Sequence, residues 1–155
     1  MRDYSTVERL VLDTSVIIEY IISRSMYRPR VAKLFRAAST GEIELYVSPI
    51  TLSETLYIAS KVYQAARVQD PNSEALDFVE WVKKRVKVVE INENIIFRAG
   101  ELKKLLYIAL PDCYVIATAK DIEAIPLFKT VEKEMEPVLK ELRRLGLKFL
   151  DEIEV

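Results

Sequence analysis

Asp13 ends the unbroken apolar run Leu10-Val11-Leu12 and is followed by Thr14 and Ser15, two residue types that cap helices. Glu54 falls between Ile50 and Ile58 at i, i+4 and i+8, so these three form one row of a helix in which only Glu54 is polar. Asp112 follows Pro111 and shares a helical face with Val115, Ile116 and Ala119. Glu132 comes two residues after Thr130, beyond the apolar stretch Pro126-Leu127-Phe128, and Glu134 can reach the same edge. Each acid has an ordinary reading: a turn residue, the rim of an apolar stripe, a first-turn acid favoured by the helix dipole, a solvated surface group. Together they have another. Carboxylates from four separate segments meeting at one place are what a hard divalent cation such as Mg²⁺ or Mn²⁺ needs. Such a cation lowers the pKa of a bound water and stabilises charge on a phosphoryl oxygen.

Composition narrows the chemistry further. The chain has no histidine, which removes histidine general bases, histidine-activated nucleophiles and histidine metal ligands. The single cysteine, Cys113, excludes an internal disulfide and a cysteine-based zinc site, and is expected to be a small buried apolar residue. Hydrolysis must then rest on carboxylates, lysines or tyrosines with a hard metal. Lys plus Arg is 23 against 24 Asp plus Glu, so nucleic acid cannot be gripped by overall charge and only local basic patches could serve. No apolar stretch is long enough to span a membrane and no signal peptide opens the chain, so a soluble cytoplasmic protein is expected.

The elements that must position the acids read as follows. A first strand over Leu10–Leu12 leads into a helix from about Thr14 to Met26. A second helix runs from Pro29 to Thr40 and ends at Gly41, and Ile43–Val47 is a strand. Ser48-Pro49 opens a helix to about Val68; Ser73–Arg85 is helical with an apolar line of Leu76, Val79 and Val82; Val86–Ile91 is a strand. Asn92 caps a helix to Ile108, Pro111 starts another to Glu123, Ile125–Lys129 is a strand, Pro137 opens a last helix closed by Gly146, and Leu147–Leu150 is a terminal strand. Strands alternating with helices over 155 residues, half of them hydrophobic, predict a single domain over residues 1–155. Its class is a three-layer α/β/α fold with a central parallel sheet of about five strands.

Three stretches taken in order resemble the PIN-domain family, and within it the VapC-type toxins of prokaryotic toxin–antitoxin pairs. They are Val11-Leu12-Asp13-Thr14-Ser15-Val16-Ile17-Ile18, Ser48-Pro49-Ile50-Thr51-Leu52-Ser53-Glu54, and Leu110-Pro111-Asp112-Cys113-Tyr114-Val115-Ile116-Ala117-Thr118-Ala119. The resemblance implies a Mg²⁺- or Mn²⁺-dependent endoribonuclease with Asp13, Glu54 and Asp112 as metal-binding acids; beside them Thr14 and Ser15, at the helix cap, and Thr130, whose hydroxyl could hold a water or a carboxylate, are read as supporting residues. It also implies an antitoxin partner and a homodimer. Family members carry a fourth acid in a Thr-x-Asp-x-x-Phe pattern; here that reads Thr130-Val131-Glu132-Lys133-Glu134-Met135, with glutamate for aspartate and no phenylalanine. Glu132 is the expected fourth acid.

For the RNA substrate, Arg24, Arg28, Arg30, Lys33 and Arg36 lie in a stretch from Ile21 to Gly41 that holds no acid, and would make phosphate contacts. Lys83, Lys84, Arg85 and Lys87 read as plain surface, and Tyr114 as a packing residue that could stack on a base. Two other functions compete: a PIN-like nuclease in RNA maturation, and a non-catalytic signalling module of the phosphoacceptor type. The latter wants two acids at the end of the first strand, and Asp3 is too far upstream of Asp13 to be the second.

Overall fold

The computed structural model describes residues 7–155, so Asp3 lies outside the described residues. Five strands form one parallel sheet in the order β3-β2-β1-β4-β5. They are β1 (Glu8–Leu12), β2 (Ile43–Val47), β3 (Lys87–Val88), β4 (Ile125–Phe128) and β5 (Lys148–Phe149). β1 is central, paired with β2 on one side and β4 on the other. The chain winds outward from β1 in both directions, which opens a crevice at the carboxyl ends of β1 and β4.

Side chains of β1 alternate between two cores. Leu10 and Leu12 enter a core with Val16, Ile17, Leu34, Phe35, Ala59 and Phe78; Val11 enters the other with Ile95, Leu102, Ile116, Met135 and Leu142. The first core lies under α1 (Thr14–Ile17), α2 (Arg28–Ser39), α3 (Pro49–Ala65) and α4 (Pro71–Lys83); the second under α5 (Glu93–Leu106), α6 (Leu110–Asp121) and α7 (Leu139–Arg144). A sheet buried on both faces explains why β1 reads as a continuous apolar run.

Several elements differ from the sequence reading. The helix expected from Thr14 to Met26 is one α-turn followed by a 3₁₀ turn over Ile18–Ile21, after which Ile22 is extended. Val16, Ile17, Ile18, Ile21 and Ile22 are all β-branched and weak helix formers, and they fill the core without a longer helix. The third and fifth strands shrink to two residues each, as suits edge strands with one neighbour. Pro137 sits inside a 3₁₀ stretch, Lys133–Val138, rather than at the head of an α-helix. In α4 the inward line is Ala75, Phe78 and Val82, and Leu76 is exposed.

Ser48 makes the turn from β2 into α3. It is fully buried, and its hydroxyl accepts from the Ile50 amide at 3.2 Å. Ser48→Ala leaves that amide without its partner and should cost about 1 kcal/mol, or roughly 2–4 °C in thermal midpoint for a chain of this size. A melt unchanged by the substitution would contradict the capping role.

Candidate active site

Asp13 is the first residue beyond β1. Its backbone N–H donates to Leu127 O at 2.9 Å, joining the ends of β1 and β4, and its side chain caps α1 by accepting from Ser15 N at 3.0 Å through Oδ2. Only 3% of Asp13 is exposed, and its other oxygen, Oδ1, is buried without any hydrogen-bond partner. Pro111 and Asp112 occupy the first turn of α6, whose backbone runs back toward the amino ends of the strands and so starts at their carboxyl edge. Asp112 is 6% exposed, and its Oδ2 is likewise buried and unpartnered. Glu54 lies on the second turn of α3, half-buried. The row fully buried in α3 is Thr51, Thr55 and Ala59 rather than Ile50, Glu54 and Ile58. Glu54 therefore stands beside the apolar stripe, where the ordinary rim position and the site coincide.

Glu132 and Glu134 come from the turn after β4. Asp112, Glu132 and Glu134 each present a carboxylate oxygen within 4.8 Å of the others. Asp13 and Glu54 adjoin this set without belonging to it, close enough to act on it electrostatically. Burial pushes Asp112 up to about 8, and Asp13, Glu132, Glu134 and Glu54 add to the rise. Burial also raises Asp13, with Glu54 contributing, and raises Glu132, with Asp13, Glu134 and Glu54 contributing and Lys129 opposing. An isolated buried carboxylate is costly, and a buried carboxylate oxygen with no donor is rarer still. Two of them within a cluster of five acids make a set of hard oxygen donors that fits a divalent cation.

The residues expected to support the acids do so by joining elements. Thr14 is buried; its Oγ1 donates to Thr51 O at 3.3 Å and takes a bond from Thr55 Oγ1 at 3.4 Å, tying α1 to α3. Ser15 Oγ accepts from the Lys129 backbone N–H at 3.1 Å, tying α1 to the turn after β4. Thr130 lies in that turn, half-buried. Cys113 is fully buried, and burial pushes its thiol up to about 11, so it is no nucleophile.

The basic residues are not one uniform patch. Arg24, Lys33 and Arg36 are exposed. Arg28 donates to Tyr20 O at 2.9 Å and lies over the Tyr20 ring; Arg30 donates to Leu150 O at 2.9 Å and to Ile153 O at 3.4 Å, holding the C-terminal segment. The second cluster is spent locally: Lys83 pairs with Glu80, Lys87 with Glu44, and Arg85 stacks on Trp81. Sequence reading missed one pair. Glu19 is 5% exposed and its Oε1 accepts from Lys129 Nζ at 2.7 Å. The signal was there, since Glu19 interrupts Ile17-Ile18-Glu19-Tyr20-Ile21-Ile22 as a lone acid in an apolar run.

The sequence model of the family described as PIN domain matches residues 10–149. No curated protein matches the chain. Among solved structures, VapBC2 from Rickettsia felis bound to a promoter DNA fragment is similar with a TM-score of 0.66 at 17% identity, covering 91% of this chain and 98% of that one. DNA-bound VapBC from Salmonella typhimurium gives 0.65 at 18% identity over 92% and 97% of the two chains. VapC20 from Mycobacterium tuberculosis, described as a toxin that cleaves the sarcin-ricin loop, gives 0.58 at 11% identity over 76% and 86%.

The metal-free protein should carry the electrostatic strain of this cluster as a pH dependence. Asp112 titrates near 3.8 in an open chain and at about 8 in the fold. The unfolded chain thus releases this proton first, and the stability the protonated form provides is lost as pH rises through the folded value. Asp112→Asn should therefore stabilise the metal-free protein by at least about 1 kcal/mol more near pH 8.5 than near pH 5, where the loss that begins above 3.8 is only partly incurred. Equal melting shifts at both pH values would contradict it.

Proposed function

The chain belongs to the PIN domain family, and on that footing we propose that it is a divalent-cation-dependent endoribonuclease, the toxin of a toxin–antitoxin pair. The observation that carries the reading is the pair of buried, unpartnered carboxylate oxygens, Asp13 Oδ1 and Asp112 Oδ2, beside Glu54, Glu132 and Glu134. Asp112, Glu132 and Glu134, whose carboxylate oxygens lie within 4.8 Å of one another, are hard oxygen donors, which suits Mg²⁺ or Mn²⁺ and not a soft metal. Asp13 and Asp112 would hold the ion, with Glu132, Glu134 and Glu54 as further oxygen donors from the rim. A cation bound there supplies a water of lowered pKa and stabilises charge on a phosphoryl oxygen.

The chain's own residues set the rest. Asp13 is oriented by the Ser15 amide, which takes one carboxylate oxygen and leaves the other buried without a donor. Asp112 is fixed by the first turn of α6, where Pro111 pre-sets the backbone. Glu132 or Glu134, nearest solvent, can accept a proton from an attacking water. Of the five basic residues expected to meet RNA, Arg24, Lys33 and Arg36 are exposed on and before α2; Arg28 and Arg30 also serve the fold, so their loss mixes binding with stability.

An antitoxin partner is supported by the VapBC complexes among the similar structures, and RNA as substrate by the toxin that cleaves the sarcin-ricin loop. A homodimer is supported by the apolar side chains left exposed along α5, in the turn after it and at the start of α6: Ile96, Phe97, Leu105, Tyr107 and Leu110. No helix of the described residues is long and apolar enough to cross a membrane.

Cleavage of single-stranded RNA in Mn²⁺ tests the proposal. Asp13→Asn and Asp112→Asn should abolish it with the fold intact. Glu132→Gln should slow it about tenfold, roughly 1.4 kcal/mol on the barrier. Since Glu134 shares the oxygen cluster with Glu132, Glu134→Gln should slow it comparably, more than its place in the sequence suggests. Single-turnover rates unaffected by Asp13→Asn would sink the catalytic reading, and a silent Glu134→Gln would return the fourth position to Glu132 alone.

A further inference from the structure

Lys129 is the residue at which β4 gives way to the turn bearing Glu132 and Glu134. Every polar group it has is engaged across the fold. Its N–H donates to Ser15 Oγ at 3.1 Å, its carbonyl accepts from Leu150 N at 3.3 Å, and its ammonium donates to Glu19 Oε1 at 2.7 Å. The Tyr27 ring lies 6.0 Å from that ammonium. The Glu19 side chain is 6% exposed and that of Lys129 34%, so one end of the pair is dry and the other touches water.

A buried glutamate is an expensive way to fill space in the apolar stretch around Glu19, where an aliphatic side chain would pack without desolvating a charge. What the pair adds is a fixed length and direction between two segments. One is α1 and its 3₁₀ extension, which carry Asp13; the other is the turn that carries Glu132 and Glu134. Those segments bear like charges that repel each other, so the turn needs a tie. We propose that Glu19 and Lys129 are positioning residues for the acid site: their ion pair, with the Ser15 bond to the Lys129 backbone, holds the Glu132–Glu134 turn against the segment that presents Asp13. The inference rests on the metal-dependent reading given above, and it assigns neither residue to the reacting atoms. Lys129 also opposes the electrostatic rise at Glu132, as a cation held close to the cluster must.

Two readouts test it: hydrogen exchange of the metal-free protein over residues 129–134, and Mn²⁺ binding by calorimetry. Glu19→Gln keeps the shape and removes the charge; Lys129→Met removes the cation and leaves Glu19 buried alone. Both should speed exchange selectively in 129–134 and weaken Mn²⁺ binding by about fivefold, or ~1 kcal/mol. Lys129→Arg, which keeps a cation and donors for Glu19, should restore both. Leu102→Ala, a truncation in the opposite core, should lower the melting temperature without either effect. Unchanged exchange in Glu19→Gln and Lys129→Met would overturn the proposal, as would a Leu102→Ala protein that reproduces their exchange and binding changes. If the unaltered protein binds no Mn²⁺, the metal reading fails, while the exchange comparison still decides whether the pair positions the turn.

Discussion

Carboxylates crowded into a low-dielectric crevice repel one another, and in this chain five of them converge at the carboxyl edge of β1 and β4. Asp13 and Asp112 are almost wholly buried there, each with an oxygen that finds no donor. The arrangement lowers the stability of the fold that contains it, as the upward displacement of the Asp112 titration shows. It persists because the acids are mounted on elements that cannot yield independently. The two cores on either face of the sheet bury their own apolar residues whatever the acids do, and that burial sets where each carboxylate points.

The mounting is itself specific. Asp13 belongs at once to the strand, through the Leu127 carbonyl, and to α1, through its cap to Ser15. Thr14 fastens α1 to α3, and Ser15 and Glu19 fasten the same segment to Lys129. A short helix with a 3₁₀ extension thus touches the segments that bring Glu54 and Glu132. Asp112 arrives from the opposite face, on a helix whose Cys113 and Val115 are packed in the second core. Divalent cation binding would relieve the repulsion that all these contacts resist, so the same feature that costs stability in the metal-free protein gives affinity for the ion.

Much of this was legible from residue types. The run Leu10-Val11-Leu12 ending at an acid marked a strand buried on both faces with a buried acid at its carboxyl end, and Pro111 before Asp112 marked a helix start with an acid on its inward side. Ser48 and Pro49 placed the start of α3, while its end falls at Ala65, three residues short of the Val68 expected. What the sequence hid had local physical causes. β-Branched residues after Asp13 pattern like a helix but fold as a 3₁₀ turn. Edge strands are trimmed by the single neighbour they pair with. In α4 Ala75, Phe78 and Val82 face the core and Leu76 is exposed, a face that the apolar spacing alone did not fix. Glu54 was selected for standing among apolar neighbours, yet the buried row of α3 runs through Thr51 and Thr55, where the Thr55 hydroxyl donates to Thr14 Oγ1 and the Thr51 carbonyl accepts from it. The partnership of Glu19 with Lys129 spans 110 residues, and no periodicity within either segment encodes it.

The central claim is that the acids at the β1–β4 edge form a divalent-cation site. Anomalous diffraction from Mn²⁺-soaked crystals addresses it without recourse to activity. The account predicts an anomalous peak bonded to Asp13 and Asp112, with Glu132 or Glu134 at the ion or at its waters, and the loss of that peak in Asp112→Asn. A protein saturated with Mn²⁺ that shows no peak at this edge, or shows one only at another acidic surface, would contradict it.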